Sequence, residues 1–217
     1  MWDWINDASG WLSNALGMVG HYPQWALAIT FLAAIIEALA IVGTIIPGTF
    51  IVMGVAGAAA AAGQPMLPFL GVAVLGAVIG DFVSYWVGFR FRFTVRQWWP
   101  LSTRPQIMAS ADRFFARYGS FSVALCRFIP VLRSTVPLVA GVAGMSRRRF
   151  LVANVSSALV WAPAHVCPAQ LAGLSIDRLR DGDWASAAFL AAGVIAFGIA
   201  IWLLHRRLTP LLIAARR

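Results

Sequence analysis

The 217-residue chain has no lysine, a single glutamate and very little charge. Charged residues make up 12% of it, where a soluble domain carries about 25%. The absence of lysine excludes any lysine-dependent phosphatase signature. No nucleophile–base spacing stands out either, so enzymatic activity is not expected. Cys126 and Cys167 are the only cysteines and are far apart in apolar segments. They provide neither a disulfide framework nor metal-ligand spacing, and no cofactor or metal is expected. The first residues lack the basic stretch of a signal peptide, so the chain is read as uncleaved.

What is present is apolar. Hydrophobic residues make up 60%, and Trp25–Gly63, Met66–Phe89 and Ala185–Leu204 each hold at most one acid. Each of these segments is able to cross or enter a bilayer. All 17 basic residues are arginine, and alanine and glycine abound, as in GC-rich bacterial genomes. In a soluble protein a net charge of +9 would suggest nucleic acid. In a membrane protein the positive-inside bias explains the same excess, so no nucleic-acid partner is expected.

Arginine placement sets the topology. Residues 90–118 hold six arginines, 147–149 three and 206–217 four, whereas Arg178 and Arg180 are offset by Asp177, Asp181 and Asp183. If 31–63 and 119–146 each enter and leave on one face, every Arg-rich segment and the C-terminus lie on the cytoplasmic side. A single span over 119–146 would instead set Arg147–Arg149 opposite the six arginines before it. Two spans there are too short, since a crossing needs about 20 residues.

The expected fold is therefore an all-α integral membrane protein. Two opposed re-entrant helical hairpins combine with transmembrane helices in an inverted-repeat arrangement. Pro130 and Pro137 supply the break of the second hairpin, because proline removes a backbone donor and disfavours helix in the residue before it. Pro47-Gly48 is either the tip of the first hairpin, the preferred reading, or the end of an ordinary span over Trp25–Ile46. Gly63-Gln64-Pro65 is a strong turn signal. Val55-Ala56-Gly57 follows Pro47 much as Val139-Ala140-Gly141 follows Pro130, a faint internal echo.

Along the chain, residues 1–24 read as an interfacial helix and 25–175 as a transport core. Residues 176–217 form a closing helix and basic tail. An amphipathic helix is expected after Ser102-Thr103, a span over Phe150–Gly173 and a polar loop over 174–184. Gly76-x-x-x-Gly80 fits close helix packing.

Four charges sit at membrane depth: Glu37, Asp81, Arg127 and Arg133. Each costs roughly 2.5–3.5 kcal/mol on insertion scales, and such groups are functional by default. Asp81 lies about 13 Å inside the cytoplasmic end of its helix at 1.5 Å per residue. Arg127 and Arg133 lie about 120° apart on a straight helix, and a break at Pro130 would let both face one cavity. The four charges sum to zero, so a paired network is electrically reasonable. Paired arginines also suit phosphate, through a planar fork that matches its oxygens. The acids are potential proton carriers. Internal salt bridges that only hold the hairpins together remain the plainer alternative. His165, near Pro163 and Pro168, is read as a structural histidine more readily than as part of a proton path.

At these residues the chain resembles the DedA family, also called the VTT or SNARE-associated domain. The carrier is Arg127-Phe128-Ile129-Pro130-Val131-Leu132-Arg133, followed by Gly141, Met145, Phe150, Asn154 and Trp161 at the family's spacing. Upstream, Gly80-Asp81 with Tyr85, Gly88 and Arg90 is similar to a second family motif, with Phe89 inserted before the arginine. Glu37 falls at the family's acid before the first tip. Many members carry an acid after that Pro-Gly, whereas this chain has Thr49 and resembles the P-G-T branch. Ala162-Pro163-Ala164-His165 has counterparts in that branch too.

The resemblance implies a multi-pass protein of the bacterial inner membrane. It also implies a flippase that returns undecaprenyl phosphate or a similar anionic lipid, coupled to the proton gradient and tied to envelope integrity. On that basis Arg127 and Arg133 hold the phosphate, and Glu37 and Asp81 carry protons or counter the arginines. An ion or small-solute transporter and a non-transporting envelope assembly factor are the alternatives.

Overall fold

A computed structural model describes residues 19, 22–40, 42–45, 48–95, 123, 124, 127, 133–196, 198 and 199. All regular structure among them is helical. The elements are α1 (Pro23–Ala38), α2 (Val42–Ile45), α3 (Gly48–Ala61), α4 (Met66–Arg90), α5 (Arg92–Val95), α6 (Thr135–Val142), α7 (Arg147–Arg180) and α8 (Trp184–Ala196). Within these bounds α4 and α7 are long and apolar enough to span a bilayer. The interfacial helix expected over 2–20, the helix after Ser102-Thr103 and the basic tail lie outside the described residues, Val19 apart, as do Pro47, Pro130 and Cys126.

Proline and glycine set most of the boundaries. Pro23 opens α1 in its first turn, where a missing N–H removes no intrahelical bond. Gly63, Gly144 and Gly182 end α3, α6 and α7 at φ of 72°, 76° and 77°. At each end two backbone N–H groups fold back onto the last turn, as in Gly63 N to Ala60 O and Gln64 N to Ala59 O. The expected turn at 63–65 is therefore present. The expected polar loop over 174–184 is not. Here α7 continues to Arg180, because residues 174–180 contain no helix breaker and the Ser175 hydroxyl donates to Leu171 O. Only Gly182 stops it.

Small residues let the helices approach closely. α4 packs against α1, α6 and α7, and α3 packs against α1 and α7. The shared core is mostly alanine: Ala26, Ala33, Ala34, Ala56, Ala59, Ala73, Ala77 and Ala162 surround Phe69 and Trp161. A Cβ on Gly80 would lie 2.6 Å from Ile35 O and 2.7 Å from Ala38 Cβ. Glycine there brings α4 against the end of α1 and fixes Asp81 beside it, as in other small-residue membrane interfaces. Outward faces carry Trp25, Phe50, Leu67, Trp86, Leu159 and Phe189, all exposed and suited to lipid.

Two glycine pairs mark further crossings. A Cβ on Gly173 would stand 2.0 Å from Gly57 O, and one on Gly141 would stand 2.1 Å from Tyr85 O and 3.0 Å from the Gly88 carbonyl carbon. Thus α3 crosses α7 at Gly57 and Gly173, and α6 crosses α4 at Gly141 and Gly88. Both glycines of the Val-Ala-Gly echo are contact points for a longer helix.

Candidate functional site

The four charges form two ion pairs, each joining an acid from the first half to an arginine from the second. Asp81 and Arg127 make the first pair, and both are buried. α4 presents Asp81 one residue after the Gly80 contact, on the same face as Ala77 and Ser84. Arg127 Nη2 donates to the Asp81 carboxylate, to Asn154 Oδ1 at 3.2 Å and to Ala77 O at 3.4 Å. Its Nη1 donates to Ser157 Oγ at 2.8 Å and to Asn154 O at 2.9 Å. The side chain is 4% exposed. Both terminal nitrogens of Arg127 are saturated.

The second pair is more open. Arg133 Nη1 lies 2.7 Å from Glu37 Oε1 and donates to Thr49 Oγ1 at 3.2 Å. The Thr49 hydroxyl in turn donates to Glu37 Oε1. Thr49 therefore bridges acid and base without adding charge. Among the described residues both polar partners of Arg133 sit on Nη1, and Glu37 Oε2 has no hydrogen-bond partner. The guanidinium lies over the Trp161 ring, 4.8 Å from its centroid, with His165 on the same ring at 5.0 Å. Arg133 is 11% exposed at its side chain.

Gly48 has a packing reason beyond any chain reversal. It is the first residue of α3, and a Cβ there would meet Ala33 O at 2.6 Å and Glu37 Cβ at 2.7 Å. Glycine is what allows α3 to start beside Glu37. Pro137 lies in the first turn of α6, where its missing N–H removes no bond within that helix. His165 Nδ1 is 2.8 Å from Trp161 O, the hydrogen-bonded role that its sequence context favours. The neighbouring prolines 163 and 168 lie inside α7 and do not end it.

Three polar contributors escaped the sequence reading. Ser84 Oγ donates to Ala38 O and accepts from Ala40 N, each at 3.1 Å. It thus gives hydrogen bonds to backbone groups where α1 ends, at a depth where a bilayer offers no water. Ser157 was passed over, and Asn154 was noted only as part of a motif. Their signal was periodicity: Phe150, Asn154, Ser157, Trp161 and His165 recur at helical spacing along one face of α7. Tyr85 holds the other end of this region. Its hydroxyl donates to Met145 O at 2.5 Å, and its ring stacks on Phe150 at 4.2 Å. Among the described residues no group of three or more His, Cys, Asp or Glu side chains could hold a metal ion.

Comparison with known proteins gives the family. Residues 46–171 match the VTT domain. The chain is 30% identical over 178 residues to the Inner membrane protein YabI of Escherichia coli, covering 78% of this chain and 70% of that protein. It is 33% identical over 149 residues to Protein DedA of the same species, covering 66% and 67%. The Uncharacterized membrane protein Rv2637 of Mycobacterium tuberculosis is 36% identical over 149 residues, 66% of each chain. No solved structure matches. The protein with these two buried ion pairs belongs to the DedA family of VTT-domain membrane proteins.

Proposed function

We propose that the protein is an inner-membrane lipid transporter that moves an anionic polyprenyl phosphate, such as undecaprenyl phosphate, with the proton gradient as its drive. The observation that carries this reading is the half-used Arg133. One terminal nitrogen is committed to Glu37 and Thr49, and the other has no polar partner among the described residues. A guanidinium so placed offers a phosphate a donor edge in a low-dielectric site, where charge-assisted hydrogen bonds are strongest.

Proton coupling follows from competition. Glu37 and a phosphate oxygen both seek Arg133. Protonation of Glu37 weakens its hold and releases the guanidinium to the phosphate, and departure of the lipid restores the carboxylate pair. Asp81 holds Arg127 as its counter-charge while that pair is closed, and Arg127 reaches substrate only in a conformation that opens it. The cycle needs no covalent step, so no enzymatic activity is assigned.

The architecture we infer is a pair of opposed re-entrant hairpins in an inverted repeat. α1 and α3 have 16 and 14 residues, about 24 and 21 Å at 1.5 Å per residue, shorter than a hydrocarbon core of about 30 Å. Gly57 and Gly141 are 84 positions apart, and Gly88 and Gly173 are 85 apart. Shifting the Gly57–Gly173 crossing by that interval gives the Gly141–Gly88 crossing with its partners exchanged, as a two-fold axis requires. The inferred orientation keeps the Arg-rich segments cytoplasmic.

The test is reconstitution. Purified protein in liposomes should move a polyprenyl phosphate between leaflets, faster with an imposed proton gradient. Arg133→Lys should abolish that movement, because lysine keeps the charge and loses the fork. No lipid movement under any gradient would sink the proposal, and transport of a small anion in its place would assign a solute carrier.

A further inference from the structure

Trp161 is the largest side chain that is fully buried, 1% exposed, yet its indole Nε1 has no hydrogen-bond partner among the described residues. Buried tryptophan N–H groups usually find an acceptor, and leaving one unpaired destabilises the fold. Packing alone does not call for this, because phenylalanine would fill an apolar site without the orphan donor. The ring is tightly placed. It joins the alanine core between α1, α3, α4 and α7, and one face carries the Arg133 guanidinium. The N–H lies in the ring plane, at an edge of the surface that Arg133 covers.

We infer that the Trp161 indole N–H is a ligand donor that binds an oxygen of the same anionic headgroup held by Arg133. The inference rests on the proposed function and adds a binding residue to it. An N–H donor beside a guanidinium suits a phosphate, which offers several acceptor oxygens in different directions. The arrangement also explains how a donor without a protein acceptor is retained: its acceptor arrives with the lipid. Glu37 and Thr49 hold the guanidinium on the side of α1 and α3, while the indole belongs to α7. A headgroup bound by Arg133 and Trp161 together would therefore be held by the second half of the chain.

Trp161→Phe keeps an aromatic ring under Arg133 and removes the N–H together with part of the buried ring. The test uses full-length protein in nanodiscs, with a polyprenyl phosphate and the corresponding uncharged polyprenol as probes. Wild type should bind the phosphate over the polyprenol, and Trp161→Phe should bind the phosphate about tenfold more weakly while its affinity for the polyprenol is unchanged. In a spectrum of protein labelled with 15N-tryptophan, the indole signal missing from Trp161→Phe should move when wild type takes up the phosphate. Equal binding by Trp161→Phe, or an indole signal that stays in place while wild type binds, overturns the donor and leaves the proposed function standing. Failure of wild type to prefer the phosphate overturns both.

Discussion

The two ion pairs have the same chemistry and very different surroundings. Arg127 and Asp81 are enclosed by Asn154, Ser157 and Ala77, and both terminal nitrogens of the guanidinium have acceptors. Arg133 and Glu37 share one neutral bridge, Thr49, and keep an unpartnered carboxylate oxygen. Removing one partner of a buried pair leaves an uncompensated charge, whereas an open pair can exchange its partner for a ligand. The contrast assigns different duties to residues that look equivalent in the sequence. Arg127 ties α4 to the later half of the chain, and Arg133 is the arginine able to let go.

The strongest way to break this contrast is to remove Asp81. Asp81→Ala strands Arg127 in a site that is 4% exposed. Loss of one partner from a buried pair costs about 3–5 kcal/mol, a large part of the about 5–15 kcal/mol by which a typical domain is stable. The expected outcome is little folded protein, measured as recovery of a monodisperse peak after detergent extraction. Glu37→Gln should be milder, because an amide oxygen still accepts from Arg133 and Thr49, and the guanidinium left without its counter-charge is less enclosed than Arg127. It should extract like wild type and lose the dependence of transport on the proton gradient. Equal extraction of Asp81→Ala and wild type would show that Arg127 is not held by this pair.

A mutation at a glycine crossing tests whether the halves must pack closely to bring the pairs together. At Gly141 an added Cβ would stand 2.1 Å from Tyr85 O, which is backbone and unable to turn away. Gly141→Val should separate α6 from α4 and cost about 1–3 kcal/mol, the usual range for overpacking. The readout is a fall in the midpoint of thermal aggregation. Gly54→Ala is the control, since a Cβ there has nothing within 4 Å, and it should leave the midpoint unchanged.

The sequence exposed the four charges plainly, because an ionisable residue in an apolar run is conspicuous in one dimension. It did not reveal which acid meets which arginine. Those contacts join residues 46 and 96 positions apart, from α4 and α1 to arginines that precede α6. The helix crossings depend on single glycines: Gly76 and Gly80 formed a packing motif and Gly57 and Gly141 a faint echo, but nothing in the sequence paired Gly57 with Gly173 or Gly141 with Gly88. Ser84 was hidden for another reason. Its partners are backbone groups of residues 38 and 40, and no side-chain pattern marks a carbonyl left over at a helix end. The end of α7 was misplaced because polar residues suggest a loop, although Ser175 satisfies its own hydroxyl inside the helix. Pro130 and Pro47, on which the hairpin tips depend, lie outside the described residues.

Ser84 gives the next smaller effect. Ser84→Ala removes one hydrogen bond from Ala40 N and one to Ala38 O. Each net hydrogen bond contributes about 0.5–1.5 kcal/mol, so the two together contribute about 1–3 kcal/mol. The end of α1 should loosen, and hydrogen exchange should rise at residues 39 and 40 before it rises in α4. Uniform exchange across both helices would mean that Ser84 does not hold this junction.

Thr49 should give the smallest effect on stability and the most informative one on function. Thr49→Val keeps shape and branching but deletes the hydroxyl that donates to Glu37 and accepts from Arg133. A net intramolecular hydrogen bond contributes about 0.5–1.5 kcal/mol, so the melting temperature should fall by only a few degrees. The direct Arg133–Glu37 contact at 2.7 Å survives this change. Its carboxylate is then held by fewer donors, so a phosphate displaces it more readily. Affinity for a polyprenyl phosphate should rise by a few fold at neutral pH, while the same substitution made beside the saturated pair, Ser157→Val, should leave affinity unchanged and lower stability. If Thr49→Val weakens phosphate binding, the threonine hydroxyl is itself part of the headgroup site, and the open pair is less like a latch than the comparison with Arg127 and Asp81 implies.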